Sequence, residues 1–266
     1  MHELIDQKTV ETIRETGNAA PGMPPRTEVL EKHGLVYDRE AENVIVTGCQ
    51  VLHLLPGAIS SLARVLDRGG LSYTFLSREY CCGNYLYRPA IKAKDEEALA
   101  GCRELSKEFV ALNLIKAREL GAKRLVIFCS PCYPIYRHAF PDGDIVFYPR
   151  AVAEALERAG FEGGSSREID YYAGCYRLHR RFSPAPMDLD STEEVFSRLG
   201  GLEVNRIGAP RCCYTPEGAS HIAQSVSTDA LVTICTGCYG QALTVLPPGS
   251  GTEVLMLPEF VERILG

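Results

Sequence analysis

Eight short runs of β-branched and aromatic residues punctuate the chain. They read NVIV (43–46), LSYTFL (71–76), RLVIF (124–128), DIVFYP (144–149), EIDYY (168–172), LEVNRIG (202–208), ALVTI (230–234) and EVLMLP (253–258). Each has the length and composition of a buried strand. Between and after them, apolar positions recur every three to four residues, the period of a helix with one face inward. Such segments are AISSLARVLDR (58–68), AVAEALERAG (151–160), EEVFSRLGG (193–201) and PEFVERIL (258–265). Strands alternating with helices need crossover connections, so the pattern predicts an α/β fold with largely parallel sheets.

The pattern also repeats. A polar leader over residues 1–42 carries the Gly/Pro-rich GNAAPGMPP and a short helical piece, RTEVLEKHG. Four strands follow in a first domain, 43–162, and four in a second, 167–266. EGGSS (162–166) reads as the join. The fold class expected is thus two pseudo-repeated parallel-sheet α/β units, and the leader is expected to dock a partner and to be removable without emptying either unit's site.

Composition narrows the class. In 266 residues, 45% are hydrophobic and 23% charged, which excludes wholesale disorder, collagen-like repeats and coiled coil. The net charge of −6 and the lack of a basic stripe argue against a nucleic-acid partner. No apolar run approaches the roughly 20 residues of a membrane helix, and MHELIDQKTVETIRETG lacks the apolar core of a signal peptide. A cytoplasmic location without a membrane span is expected. Against that background the 11 cysteines stand out, because clustered thiols in the cytosol point to metal or redox chemistry rather than disulfides.

Ten of the cysteines fall just after strands, in one order, twice. Cys49 follows the first strand of the first half, Cys81 and Cys82 the second, Cys129 and Cys132 the third. Cys175, Cys212, Cys213, Cys235 and Cys238 repeat the series. The neighbours repeat with them: G-C-x-x-L-H occurs at 48–53 and 174–179, and CSPCY (129–133) parallels CTGCY (235–239). Ligands of open α/β sheets sit at the carboxyl ends of strands, so the topology directs five thiols to each of two crevices. The eleventh, Cys102, shares a helix face with Leu99, Leu105, Phe109 and Leu112 and reads as core.

Five thiols exceed the four ligands of zinc and the four of a cubane iron–sulfur cluster, although one could be spare. Thioredoxin-like exchange would account for C-x-x-C alone and leave Cys49, the adjacent pair and their counterparts idle.

Cys, then Cys-Cys-Gly, then Cys-x-x-Cys, twice over, resembles the cysteine-rich (CCG) domain family, across about residues 43–266. In architecture it is most similar to the B subunit of heterodisulfide reductase. Related domains occur in glycolate oxidase, anaerobic glycerol-3-phosphate dehydrogenase and lactate-utilisation iron–sulfur subunits. The resemblance implies two noncubane [4Fe–4S] clusters, one on Cys49, Cys81, Cys82, Cys129 and Cys132, the other on Cys175, Cys212, Cys213, Cys235 and Cys238. A disulfide would be reduced, or formed, between them. Some relatives hold zinc instead, and zinc in one site is the alternative cofactor. GNAAPGMPP resembles the segment that, in fused relatives, follows a ferredoxin-type domain. This sequence has no ferredoxin cysteine run, no G-x-G-x-x-G after a strand and no P-loop. A separate ferredoxin-type subunit, with a flavoprotein subunit as a further candidate, is therefore the expected partner, and a small disulfide or thiol the substrate.

Two departures mark the second half. Tyr214 replaces the Gly that follows the first pair at Gly83, and 21 residues separate Cys213 from Cys235 where 46 separate Cys82 from Cys129. The second site is expected to be more open, or docked against a partner, with only about Glu217–Thr228 left of the crossover helix. His53 and His179, four residues after the first cysteine of each series, are candidate hydrogen-bond donors to cluster sulfur or proton donors to a leaving thiolate; a surface or core-edge histidine is the alternative. Arg177, Arg180 and Arg181, with Arg211, are candidates for binding an anionic substrate, against a solvated charged face. Tyr80, Tyr85, Tyr133, Tyr214 and Tyr239 flank the motifs as candidates for shielding a cluster from water and tuning its potential, with ordinary packing as the alternative. The reading is a heterodisulfide reductase-like iron–sulfur subunit. Its rivals are an electron-transfer subunit of a dehydrogenase without a substrate of its own, and a zinc-bound scaffold.

Overall fold

The computed structural model describes residues 2–161, 163, 166–176, 183–246 and 248–266. In the first half the strands are β1 (Asn43–Val46), β2 (Tyr73–Phe75), β3 (Arg124–Ile127) and β4 (Ile145–Phe147). In the second they are β5 (Arg167–Tyr172), β6 (Leu202–Arg206), β7 (Ala230–Thr233) and β8 (Glu253–Met256). Each set makes a four-stranded parallel sheet, ordered β2-β1-β3-β4 and β6-β5-β7-β8. The two orders are the same order, as a duplicated unit requires. β1 is buried along its whole length, as expected of a central parallel strand covered on both faces.

The helices of the first half are α1 (Gln7–Thr16), α2 (Arg26–Lys32), α3 (Val51–Leu54), α4 (Pro56–Arg68), α5 (Tyr87–Ala93), α6 (Glu96–Glu119), α7 (Cys132–Ala139) and α8 (Tyr148–Arg158). Those of the second are α9 (Asp190–Leu199), α10 (Pro216–Ser225), α11 (Thr236–Val245) and α12 (Leu257–Leu265). Asp95 caps α6, accepting from the Ala98 N–H at 2.8 Å. The face of α6 departs from the expected one. Leu99, Cys102 and Phe109 are buried, but Leu105 and Leu112 are half-buried, and the seam runs instead through Ser106, Val110 and Asn113.

Two compact units emerge, and they do not follow the chain simply. The first takes 2–56, 72–148 and 183–187; the second takes 57–71, 149–176 and 188–266. Each sheet lies whole within one unit, but α4 and α8 fall with the second sheet. Within that unit Arg64 of α4 pairs with Glu262, Arg68 donates to the Leu265 carbonyl at the end of α12 at 2.7 Å, and Arg150 of α8 pairs with Glu194 at 2.5 Å.

The leader is part of the first unit. Ile5, Val10, Ile13 and Leu30 are buried, and the Gly17 carbonyl accepts from the Cys81 N–H at 2.7 Å. The expectation that it can be removed without disturbing the thiols is revised on this ground.

Candidate metal centres

In the first unit all five thiols are buried and linked in a chain. Cys49 contacts Cys81, Cys81 contacts Cys82, and Cys132 contacts Cys129. The Cys132 Sγ stands 3.2 Å from the Cys82 Sγ. In the second unit the same links join Cys175 to Cys212, Cys212 to Cys213 and Cys235 to Cys238, with Cys213 and Cys238 3.6 Å apart. The structure therefore gathers all ten candidate ligands into two groups of five. Cys102 joins neither; it is fully buried, its thiol donates to the Leu86 carbonyl at 3.4 Å, and burial pushes it up to about 11.

The backbone is shaped to the thiols. Gly48 and Gly174, just before the first cysteine of each group, stand at φ of +93° and +101°. A Cβ on Gly48 would lie 2.6 Å from the Cys129 Cβ, and one on Gly174 would lie 3.1 Å from the Cys238 Sγ. Glycine is needed there for close approach as well as for the left-handed turn. The C-x-x-C pairs open α7 and α11, where the Cys129 carbonyl accepts from the Cys132 and Tyr133 N–H groups and the Cys235 carbonyl from the Tyr239 N–H. The second member of each adjacent pair is the thiol whose neighbours shift it toward the charged form. Cys132, then Cys81, donates to Cys82 and brings it down to about 6 against its burial. Its contact with Cys238 likewise lowers Cys213.

A buried carboxylate that the sequence reading missed fastens the first group. Glu79, two residues before Cys81, accepts from the Gly48 N–H at 2.7 Å, the Thr47 N–H at 2.9 Å and the Thr47 hydroxyl at 3.0 Å. Arg26 of the leader pairs with it at 2.9 Å and donates to Thr47 at 3.0 Å. From α6, Asn113 grips both sides of Tyr80, accepting from its N–H and donating to its carbonyl, each at 2.7 Å. The backbone around Cys81 and Cys82 is thus held from three elements. Removing one member of so buried a pair leaves a charge stranded. Glu79→Ala should lower unfolding free energy by about 3–5 kcal/mol, read from the denaturation midpoint.

The second group lacks these holds. Aligned on the Gly-Cys steps and the paired cysteines, Thr47 becomes Ala173 and Glu79 becomes Pro210, and the crossover holds only α10, of 10 residues, where the first half has α5 and the 24-residue α6. Cys175, Cys212 and Cys235 are half-exposed, so this site is the more open one, as expected. The Tyr214 departure has a physical resolution. Gly83 stands at φ +76°, whereas Tyr214 keeps a negative φ, because the chain turns directly into α10. Thr215 bonds the Cys212 carbonyl with its N–H and its hydroxyl, at 2.9 and 2.8 Å, and caps α10 by accepting from Gly218. Tyr214 is 67% exposed with its ring over Gly237 in the second C-x-x-C. Tyr85, half-exposed, holds a comparable place in the first group and donates to Gln50 at 2.6 Å.

His53 lies on α3 with both ring nitrogens buried and without a partner among the described residues. Burial, then Arg26, lowers its pKa. His179, Arg177, Arg180 and Arg181 lie outside the described residues, and Arg211 is exposed.

These features fit a thiolate-held metal cluster. The donors are soft, at least one per group favours the charged form, and glycines clear the approach. Five per group is more than tetrahedral zinc takes. Among the described residues, no group of three or more His, Cys, Asp or Glu is arranged around a single metal ion.

Comparison with known proteins agrees with this chemistry. Residues 44–134, which contain the whole first group, match the CCG family of cysteine-rich domains. Over most of its length the chain is similar to a heterodisulfide reductase component of Methanosarcina mazei, the D subunit of its dihydromethanophenazine:CoB–CoM enzyme, at 24% identity over 253 residues. The alignment takes in 87% of this chain and 57% of the relative. The corresponding protein of Methanosarcina acetivorans is 25% identical over 233 residues, 79% of this chain and 52% of the relative. The chain thus spans just over half the length of these curated relatives. No helix among the described residues is long and apolar enough to cross a membrane.

Proposed function

We propose that the chain is the iron–sulfur subunit of a heterodisulfide reductase-like complex. Each five-thiol group would hold one [4Fe–4S] cluster, of the noncubane type that the family resemblance implies. The observation that carries this reading is the recurrence of an unbroken five-thiol chain at the same topological place in two sheets of the same strand order. The reaction is two-electron cleavage of a small disulfide, with two protons taken up and two thiols released, or the reverse. The clusters supply or accept the electrons. A ferredoxin-type subunit, with a flavoprotein subunit beyond it, would connect them to a donor.

The chain's own residues do the rest. The half-exposed Cys175, Cys212 and Cys235 and the exposed Tyr214 make the second group the one that an incoming disulfide reaches first. Arg177, Arg180 and Arg181 follow Cys175 closely in sequence and would attract an anionic substrate. His53 and His179 are the proposed proton donors. With its pKa lowered, His53 is neutral near pH 7 and must collect a proton before passing it on.

The test is anaerobic turnover. Purified protein given a low-potential one-electron donor should reduce an anionic disulfide, and oxidation in the presence of the product thiol should give a new paramagnetic signal. Reduction and re-oxidation of the metal with no disulfide consumed and no thiol-dependent signal would leave an electron relay instead.

A further inference from the structure

Tyr172 ends β5, three residues before Cys175. Its side chain is 1% exposed and packs in one apolar cluster with Cys213 and Cys238, with Cys235 against it. Its hydroxyl is buried and has no hydrogen-bond partner among the described residues. A buried phenol without a partner is destabilising, and buried hydroxyls of tyrosine normally find one. An apolar position at this place would accept phenylalanine at no cost. The first half shows as much: the equivalent residue, counted back from Gly48 as Tyr172 is from Gly174, is the fully apolar Val46.

The neighbouring residue sharpens the point. Side chains alternate across a strand, and Tyr171 turns the other way, its ring 5.0 Å from Phe196 of α9 in an edge-on contact. Tyr172 is thus the tyrosine of β5 that faces the thiols. A tyrosine hydroxyl carries its proton at neutral pH, so it faces them as a hydrogen-bond donor.

Resting on the cluster reading above, we infer that the Tyr172 hydroxyl donates a hydrogen bond to a sulfur of the group held by Cys175, Cys212, Cys213, Cys235 and Cys238, and raises the reduction potential of that site alone. The physical ground is that hydrogen bonds to cluster sulfur withdraw negative charge and favour the reduced state. Val46 has no donor, so the first site lacks this device. The two sites would differ in potential by design of one side chain, with electrons drawn toward the more open site. Tyr172 is on this account a positioning and tuning residue.

The experiment is a redox titration of the full anaerobic chain, followed by paramagnetic spectra, for wild type, Tyr172→Phe and Tyr171→Phe. Phenylalanine keeps the packing and removes only the hydroxyl. Tyr172→Phe should keep its full iron content and lower one of two midpoints. At the wild-type midpoint of that site, its reduced-to-oxidised ratio should fall about tenfold, equivalent to about 59 mV for one electron. The other midpoint should stay, and Tyr171→Phe should move neither. Resonance Raman spectra should show an iron–sulfur band that shifts in deuterated water in wild type and not in Tyr172→Phe. Full iron with unmoved midpoints, or both midpoints moving together, would overturn the inference and leave the cluster reading standing. Wild-type protein that binds zinc in place of iron would overturn both. Should Tyr172→Phe lose iron, the deuterium shift in wild type decides, and its absence refutes the bond.

Discussion

Cys82→Ser and Cys213→Ser should each abolish disulfide turnover, and each should remove about half the bound iron, on the footing of four irons per cluster. These are the central links of the two thiol chains. Cys82 is joined to Cys81 on one side and to Cys132 at 3.2 Å on the other. Cys213 is joined to Cys212 and, at 3.6 Å, to Cys238. Both are also the thiols that their neighbours stabilise in the charged form, the form that binds metal. A serine hydroxyl at either place keeps its proton and offers a hard oxygen in place of a soft sulfur. Its volume is close to that of cysteine, so circular dichroism should show an intact fold. Cys102→Ser is the matched control. Its thiol donates to a carbonyl in the core, a bond serine can make, and iron and turnover should be retained. Full disulfide reduction by Cys213→Ser without its second cluster would reduce that half to a scaffold.

Deleting residues 1–20 should empty the first group and leave the second loaded. The deletion removes Ile5, Val10 and Ile13, all buried. At about 1.5–3 kcal/mol each, their burial sums to about 5–9 kcal/mol, comparable with the whole stability of an ordinary domain. It also removes the Gly17 carbonyl that accepts from Cys81, and Ala19, whose backbone bonds the Cys49 sulfur. Calorimetry should show the transition of the first unit lost or lowered by tens of degrees, and metal analysis about half the iron. A truncated protein with wild-type iron and melting would show that the leader is an arm after all.

The strands and the ten thiols were legible because both leave periodic marks. Each of the eight apolar runs contains a strand, shorter than the run by up to three residues where the chain turns into a helix, as at Tyr148 and Leu257, or overrunning it by one residue, as at Arg167. The repeated order of cysteines after strands placed five in each unit without any structure. Polar residues with one buried partner leave no such mark. Glu79 and Arg26 are 53 residues apart and look like surface charge until their burial is seen. Asn113 breaks an apolar helix face for the sake of a backbone it reaches across 33 residues. Glu79 had one faint signal, a carboxylate between a strand and a cysteine pair with no equivalent in the other half. Tyr172 had another, a tyrosine where the repeat has valine. The sharing of α4 and α8 with the second sheet was hidden, because a helix's apolar stripe does not say which sheet it covers.

The most direct measurement of the central claim is the metal content of the anaerobically purified chain, with iron, acid-labile sulfide and zinc determined on one sample. The account predicts about eight irons and about eight sulfides per chain, from two four-iron clusters, with little zinc. Near-stoichiometric zinc with little iron or sulfide would contradict it.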